Sequence, residues 1–149
     1  FGSGFSGRYG EFTIAEALTA LQAELDRLGA AQIVLSSNLD LRLDGLPRSG
    51  QSNPADPGVA LYFQLRGKDT VLACDRWLKV QDNIFALAKH IEALRGMDRW
   101  GVGTLEQAFA GYQALPAPEQ WWNVLGVGAQ ATAAEIEAAY RSKARAAHP

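Results

Sequence analysis

The chain has a single cysteine, Cys74, which excludes an internal disulfide framework and a thiolate metal cluster and fits a reducing compartment. It has no apolar run near the ~20 residues that a membrane-spanning helix needs. A net charge of −2 gives no general attraction to nucleic acid or anionic membranes, so any basic site must be a local patch. The first ten residues, with four glycines and two serines, lack the charged-then-apolar order of a signal peptide. A phosphate-binding glycine loop is missing too: Gly101-Val102-Gly103 has neither the following spacing nor the lysine. These absences point to a cytoplasmic protein without a cofactor.

What is present is ordinary for a folded domain, with 48% hydrophobic and 20% charged residues over 149 positions. That length suffices for one core, or for one domain with a small appendage. Residues 1–12 are expected to be a flexible lead-in, because glycine and serine bury too little surface to order themselves. Thr13 and Glu16 then have the spacing of a capping box. Ile14, Leu18, Leu21, Leu25 and Leu28 follow as one apolar helical stripe, and Gly29 supplies a left-handed stop.

Residues 32–36 form a short β-rich run, and residues 39–43 alternate Leu with Asp and Arg as a half-buried strand does. Residues 45–57 collect prolines, glycines and small polar residues and are expected to be a loop. In residues 58–66, Val59, Leu61, Phe63 and Leu65 face one way. Gly67-Lys68-Asp69 is expected to turn the chain, with residues 70–74 returning as the partner strand. Val80, Ile84, Leu87, Ile91 and Leu94 repeat the first helix's spacing, with Gly96 as the expected end. Thr104 and Gln107 form another capping box before a shorter helix to about Gln113. The order predicts an α+β fold: a small antiparallel sheet of three to four strands packed by two long helices, then a short helix.

Residues 115–120, with Pro116 and Pro118, read as a linker. After it stand Trp121-Trp122-Asn123-Val124-Leu125-Gly126-Val127, then Thr132-Ala133-Ala134-Glu135-Ile136, Ala139-Tyr140-Arg141, and His148-Pro149. Thr132 and Glu135 are spaced to cap a helix with acids in its first turns and bases later, as the helix dipole favours. Arg141, Arg145 and His148 fall at i, i+4 and i+7, giving a basic stripe that ends at a His-Pro turn and suits an acidic partner surface. A bare Arg-x-x-x-Arg is more often a solvated helix face; the flanking segments are what give this one meaning.

Residues 121–149 resemble the first half of a J-domain, with its aromatic pair, Leu-Gly-Val, capped Glu-Ile helix with Ala-Tyr-Arg, and the start of a His-Pro-Asp motif. The Trp pair stands where the family more usually has Tyr. The Asp would occupy the next position after Pro149, and a third helix would follow, so the sequence is expected to be truncated within the motif. The resemblance implies a partial J-domain helical hairpin. In the family the basic second helix and the His-Pro-Asp loop dock on a DnaK-type chaperone ATPase and stimulate its ATP hydrolysis, and a segment lacking the Asp and the third helix is not expected to be competent by itself. Carried over by position, Arg141, Lys143 and Arg145 would supply charge and His148-Pro149 would begin the stimulating loop. Trp122, Leu125, Ile136 and Tyr140 would pack the helices. The J-domain itself makes and breaks no bonds, so the resemblance implies a non-enzymatic protein.

Residues 13–114 are similar, through Leu41–Gly50 (LRLDGLPRSG), Asp56–Phe63 (DPGVALYF), Ala73–Trp77 (ACDRW) and Arg99-Trp100-Gly101, to the N-terminal region of bacterial J-domain-containing proteins met on phages and plasmids. That similarity supplies a setting and no activity. The expected role is binding of a target or client protein. One alternative is a nucleic-acid-binding accessory protein. In it Arg66, Lys68 and Arg76, with Arg42 and Arg48, would track phosphates while Tyr62, Phe63 and Trp77 stacked bases. The helix–three strands–helix order matches double-stranded-RNA-binding topology, although only Lys79 stands where that family clusters lysines. A less favoured alternative is a metal-dependent nuclease, with Asp40, Asp44, Asp75 and Asp82 gathered around Mg²⁺. Such carboxylates are usually solvated or capping groups. His90 lacks a partner at ligand spacing, and Cys74 reads as an inert strand thiol.

Overall fold

The computed structural model describes residues 6–7, 10–115 and 120–147. The chain separates into two units, Phe1–Ala114 and Leu115–Pro149.

The first unit is α+β. Two short strands, β1 (Ser6–Gly7) and β2 (Gly10–Glu11), pair antiparallel within the expected lead-in. Phe12 then stacks on Phe85 with ring centroids 4.2 Å apart, fixing the start of the domain. Helix α1 (Ile14–Leu28) begins with the full Thr13/Glu16 capping box and ends at Gly29, whose φ of 79° is the left-handed conformation glycine adopts without strain. The N–H groups of Gly29 and Ala30 both return to the Leu25 carbonyl, closing the helix end.

The three-stranded sheet is an antiparallel meander of β3 (Ala31–Ser37), β4 (Val59–Leu65) and β5 (Lys68–Cys74), with β4 central. The turn between β4 and β5 is shorter than expected. Leu65 pairs with Lys68, and Arg66 and Gly67 both have positive φ, 51° and 77°. This is the two-residue pattern that matches the strands' twist, and it places Lys68 and Asp69 within the ladder. Val59, Leu61, Phe63 and Leu65 form the buried face of β4, as their alternation predicts. Against this face lie Ala17, Leu21, Leu25 and Leu28 of α1 and Val80, Ile84, Leu87 and Ile91 of α2 (Val80–Arg99). Each large aliphatic side chain buried there stabilises the fold by roughly 1.5–3 kcal/mol.

Two further expectations from the sequence fail here. Residues 39–43 are not a strand: Leu41 makes only an isolated bridge to Pro47, and Leu41 and Leu43 are exposed. The alternation is real, but Leu39 alone reaches the core. Gly96 does not end α2, which runs three residues further to Arg99. The absent side chain makes room for the Trp100 ring; a Cβ at Gly96 would sit 2.7 Å from it. Helix α3 (Leu105–Phe109) carries the Thr104/Gln107 capping box and continues as a 3₁₀ turn through Tyr112. Gln113 then bridges to Thr70, lying along the β5 edge.

The second unit contains α4 (Trp121–Leu125) and α5 (Ala133–Ala147), which touch each other. Among the described residues no helix is long and apolar enough to cross a membrane.

Candidate functional site

The C-terminal helix is built by its ends. Thr132 and Glu135 exchange hydrogen bonds: the Glu135 N–H donates to the Thr132 hydroxyl, and the Thr132 N–H donates back to the Glu135 carboxylate at 2.7 Å. Those bonds, backbone first and then the hydroxyl, hold the Glu135 carboxyl below its usual range. At the end of α4, Gly126 has φ 73° and the Val127 N–H returns to the Trp122 carbonyl at 2.9 Å. This closure requires a residue that tolerates the left-handed region, which accounts for glycine between Leu125 and Val127.

Trp122, Leu125 and Ile136 are half-buried. Tyr140, the fourth residue expected in this core, is 64% exposed. A five-residue helix cannot cover both sides of a fifteen-residue one, and among the described residues of this unit none is buried. Trp121 meets Trp122 edge-on with centroids 5.5 Å apart and is itself half exposed. Arg141, Lys143 and Arg145 are all exposed. Arg141 pairs with Glu137 one turn earlier, and both remain largely in water. Arg141 and Arg145 stand one turn apart, about 6 Å along the axis. His148 and Pro149, and the linker residues 116–119, lie outside the described residues.

The basic residues proposed for nucleic acid are not gathered into a single patch. Arg66 and Lys68 are at the β4–β5 turn, whereas Arg76 follows the far end of β5, about 20 Å away at strand rise. Arg66 is paired with Glu106. The Arg76 guanidinium sits over its neighbour Trp77, 5.7 Å from the ring centroid. Phe63 is buried and so unable to stack a base. The sheet face away from the helices carries Val34, Tyr62 and Val71 in one cross-strand row, Ser36, Ala60 and Ala73 in the next, and Ala31, Gln64 and the acidic Asp69 in a third, a surface without a basic residue in these rows. The four aspartates do not converge either. Asp44 pairs with Arg42 on the 40–51 loop, while Asp82 is buried in the first turn of α2. Among the described residues no group of three His, Cys, Asp or Glu is arranged to hold a metal ion.

His90 lies 3.0 Å from the Tyr112 hydroxyl, and burial lowers its pKa. The Cys74 thiol donates to Asn83 Oδ1 at 3.3 Å. Asn83 escaped the sequence reading although it is completely buried. Its amide donates to the Pro57 and Trp77 carbonyls at 2.8 and 3.0 Å, and its oxygen accepts from the Trp77 N–H at 2.9 Å. A polar residue at position 83, on the face shared by Val80, Ile84 and Leu87, was the available signal. Asn53 plays a related part from the long loop, accepting from the Val80 N–H at 3.0 Å and donating to the Leu78 carbonyl at 2.7 Å. It thereby caps α2 from a distance, and no local pattern announces it. Glu24, also buried, holds Arg95 across the α1–α2 contact at 2.7 Å.

Compared with known proteins, the chain matches no family model, no curated protein and no solved structure.

Proposed function

We propose that this protein is a J-domain co-chaperone: the J-domain to which residues 121–149 belong recruits and stimulates a DnaK-type chaperone ATPase, and the α+β domain holds the target delivered to it. The single observation that carries the reading is the construction of the C-terminal unit. A capped helix presents Arg141, Lys143 and Arg145 to solvent beside a tryptophan-bearing helix closed by Gly126, in the residue order of the J-domain. An exposed cationic helix attracts an acidic partner surface, raises the encounter rate and weakens with salt.

On this reading the protein is not an enzyme, needs no cofactor of its own, and works in the cytoplasm, where DnaK-type partners reside. Its relationship to phage or plasmid proteins belongs to the same reading. The separation of Arg66 and Lys68 from Arg76, with Arg66 paired, favours target binding over nucleic-acid binding for the α+β domain.

The test is steady-state ATP hydrolysis by a DnaK-type chaperone with the protein as encoded. Stimulation of several-fold is expected, reduced by raised salt and abolished by His148→Gln. Equal stimulation by wild type and by His148→Gln overturns the reading.

A further inference from the structure

The 40–51 loop puts leucine where a loop would ordinarily be polar. Leu41 and Leu46 are each about half exposed and Leu43 is fully exposed. Isolated exposed leucines mean little, but Leu46 also lines a recess beside this loop. Hydrogen bonds hold this loop in a defined shape. The Arg42 N–H donates to the Leu46 carbonyl at 2.7 Å and the Arg48 N–H to the Asp40 carbonyl at 2.8 Å. Gln51 bonds both ends, accepting from the Asp40 N–H at 2.9 Å and donating to the Arg48 carbonyl at 2.8 Å. Asp44 accepts from the Leu46 N–H at 3.1 Å, and Leu39 anchors the loop's base in the core.

Between this loop and α1 runs a groove of about 510 Å³, within the size range of ligand pockets. Ile14, Leu18, Leu46 and Pro47 give it apolar walls, and Arg42 and Arg48 line it as well. No carboxylate lines it. The Asp44 carboxylate is turned to Arg42, while Arg48 has no ion-pair partner among the described residues.

We infer that this groove binds a peptide segment of another protein that presents a bulky apolar side chain flanked by carboxylates. The inference rests on the reading that the α+β domain holds a target, and it names the chemistry of that target. The apolar walls accept the side chain, and Arg48, which has no ion-pair partner among the described residues, attracts a negative flank, whereas Arg42 is already paired with Asp44. A recess between helix and loop suits an inserted side chain better than a flat bilayer. A second copy docked groove to groove about a two-fold axis would bring two arginine-lined surfaces together.

The test is fluorescence anisotropy with the whole chain and a fluorescein-labelled peptide having a Trp-Leu centre between glutamates. Control peptides replace the glutamates with lysines, or the Trp-Leu centre with glycines. The acidic-apolar peptide is expected to bind at least about tenfold more tightly than either control, and less tightly as salt is raised. Leu46→Asp and Arg48→Glu should each weaken it about tenfold, while Arg48→Lys retains most of the affinity. Both positions are exposed, and unchanged thermal unfolding would show that the variants fold. Equal binding of the lysine peptide, or binding indifferent to both variants, overturns the inference. So does sedimentation with phosphatidylserine vesicles, or self-association, without peptide binding. No chaperone is present in this assay, so its failure leaves the ATPase result standing, and the reverse also holds.

Discussion

Replacing Asn83 with Ala should remove a large part of the α+β domain's stability. The side chain is wholly buried and satisfies the Trp77 N–H and the carbonyls of Pro57 and Trp77. Each buried backbone group left without a partner costs about 1–3 kcal/mol. The 75–79 segment borders solvent, so water will reach some of these groups, and about 1 kcal/mol for each of three is the fitting end of that range. The sum, about 3 kcal/mol, compares with about 5–15 kcal/mol for a typical domain. At about 4–8 °C per kcal/mol for a domain of this size, Tm should fall by roughly 12–24 °C. Urea denaturation followed by tryptophan fluorescence and circular dichroism measures the change, with an unchanged slope confirming that the same unit unfolds. Asn83→Asp keeps the acceptor, loses the amide donors and buries a charge, so it should regain stability as pH falls and the carboxyl takes up a proton. A loss below about 1 kcal/mol for Asn83→Ala would show that the network is dispensable and refute the reasoning.

Two further outcomes concern pH. Burial lowers the pKa of His90 from its ordinary 6.5, so within the window below 6.5 the unfolded chain binds more protons than the folded one. The contribution from neutral His90 is therefore complete above 6.5 and is lost as pH falls through the folded value. Urea midpoints across that range should rise with pH in the wild type and flatten in His90→Gln; identical slopes would remove His90 from the account. Glu135 has its pKa lowered from the ordinary 4.5 by its bonds to Thr132, so its capping is present above 4.5 and lost as pH falls through the folded value. Amide shifts of residues 133–137 should report that loss on acidification, and Glu135→Gln should diminish the pH dependence; an unchanged titration in the variant would show that another group is responsible.

The elements whose signals are local were legible in the sequence. Helix α1 announced itself from the Thr13 cap to Gly29, because the stripe and both end signals lie within one segment. The β4 face followed from strict alternation. The errors came where a particular side-chain partner overrides a general rule. Gly96 carries the mark of a helix stop, yet Trp100 lies over it and the helix continues. The Leu41 and Leu43 pattern imitates a strand, but bonds from Gln51 and Asp44 fold that segment into a loop. Asn83 and Asn53 act on groups up to 26 and 27 residues away, beyond any periodicity. In the C-terminal unit the caps and the exposed bases were readable from spacing. The exposure of Tyr140 was not, because it depends on how much of α5 the short α4 covers.

The most direct measurement of the central claim is an amide chemical-shift titration of the isotope-labelled protein with a DnaK-type chaperone ATPase domain. Shifts concentrated at Arg141, Lys143 and Arg145, diminishing with salt and abolished by Arg141→Glu with Arg145→Glu, are the predicted result. Perturbations confined to residues 13–114, or none at all in residues 133–147, would contradict it.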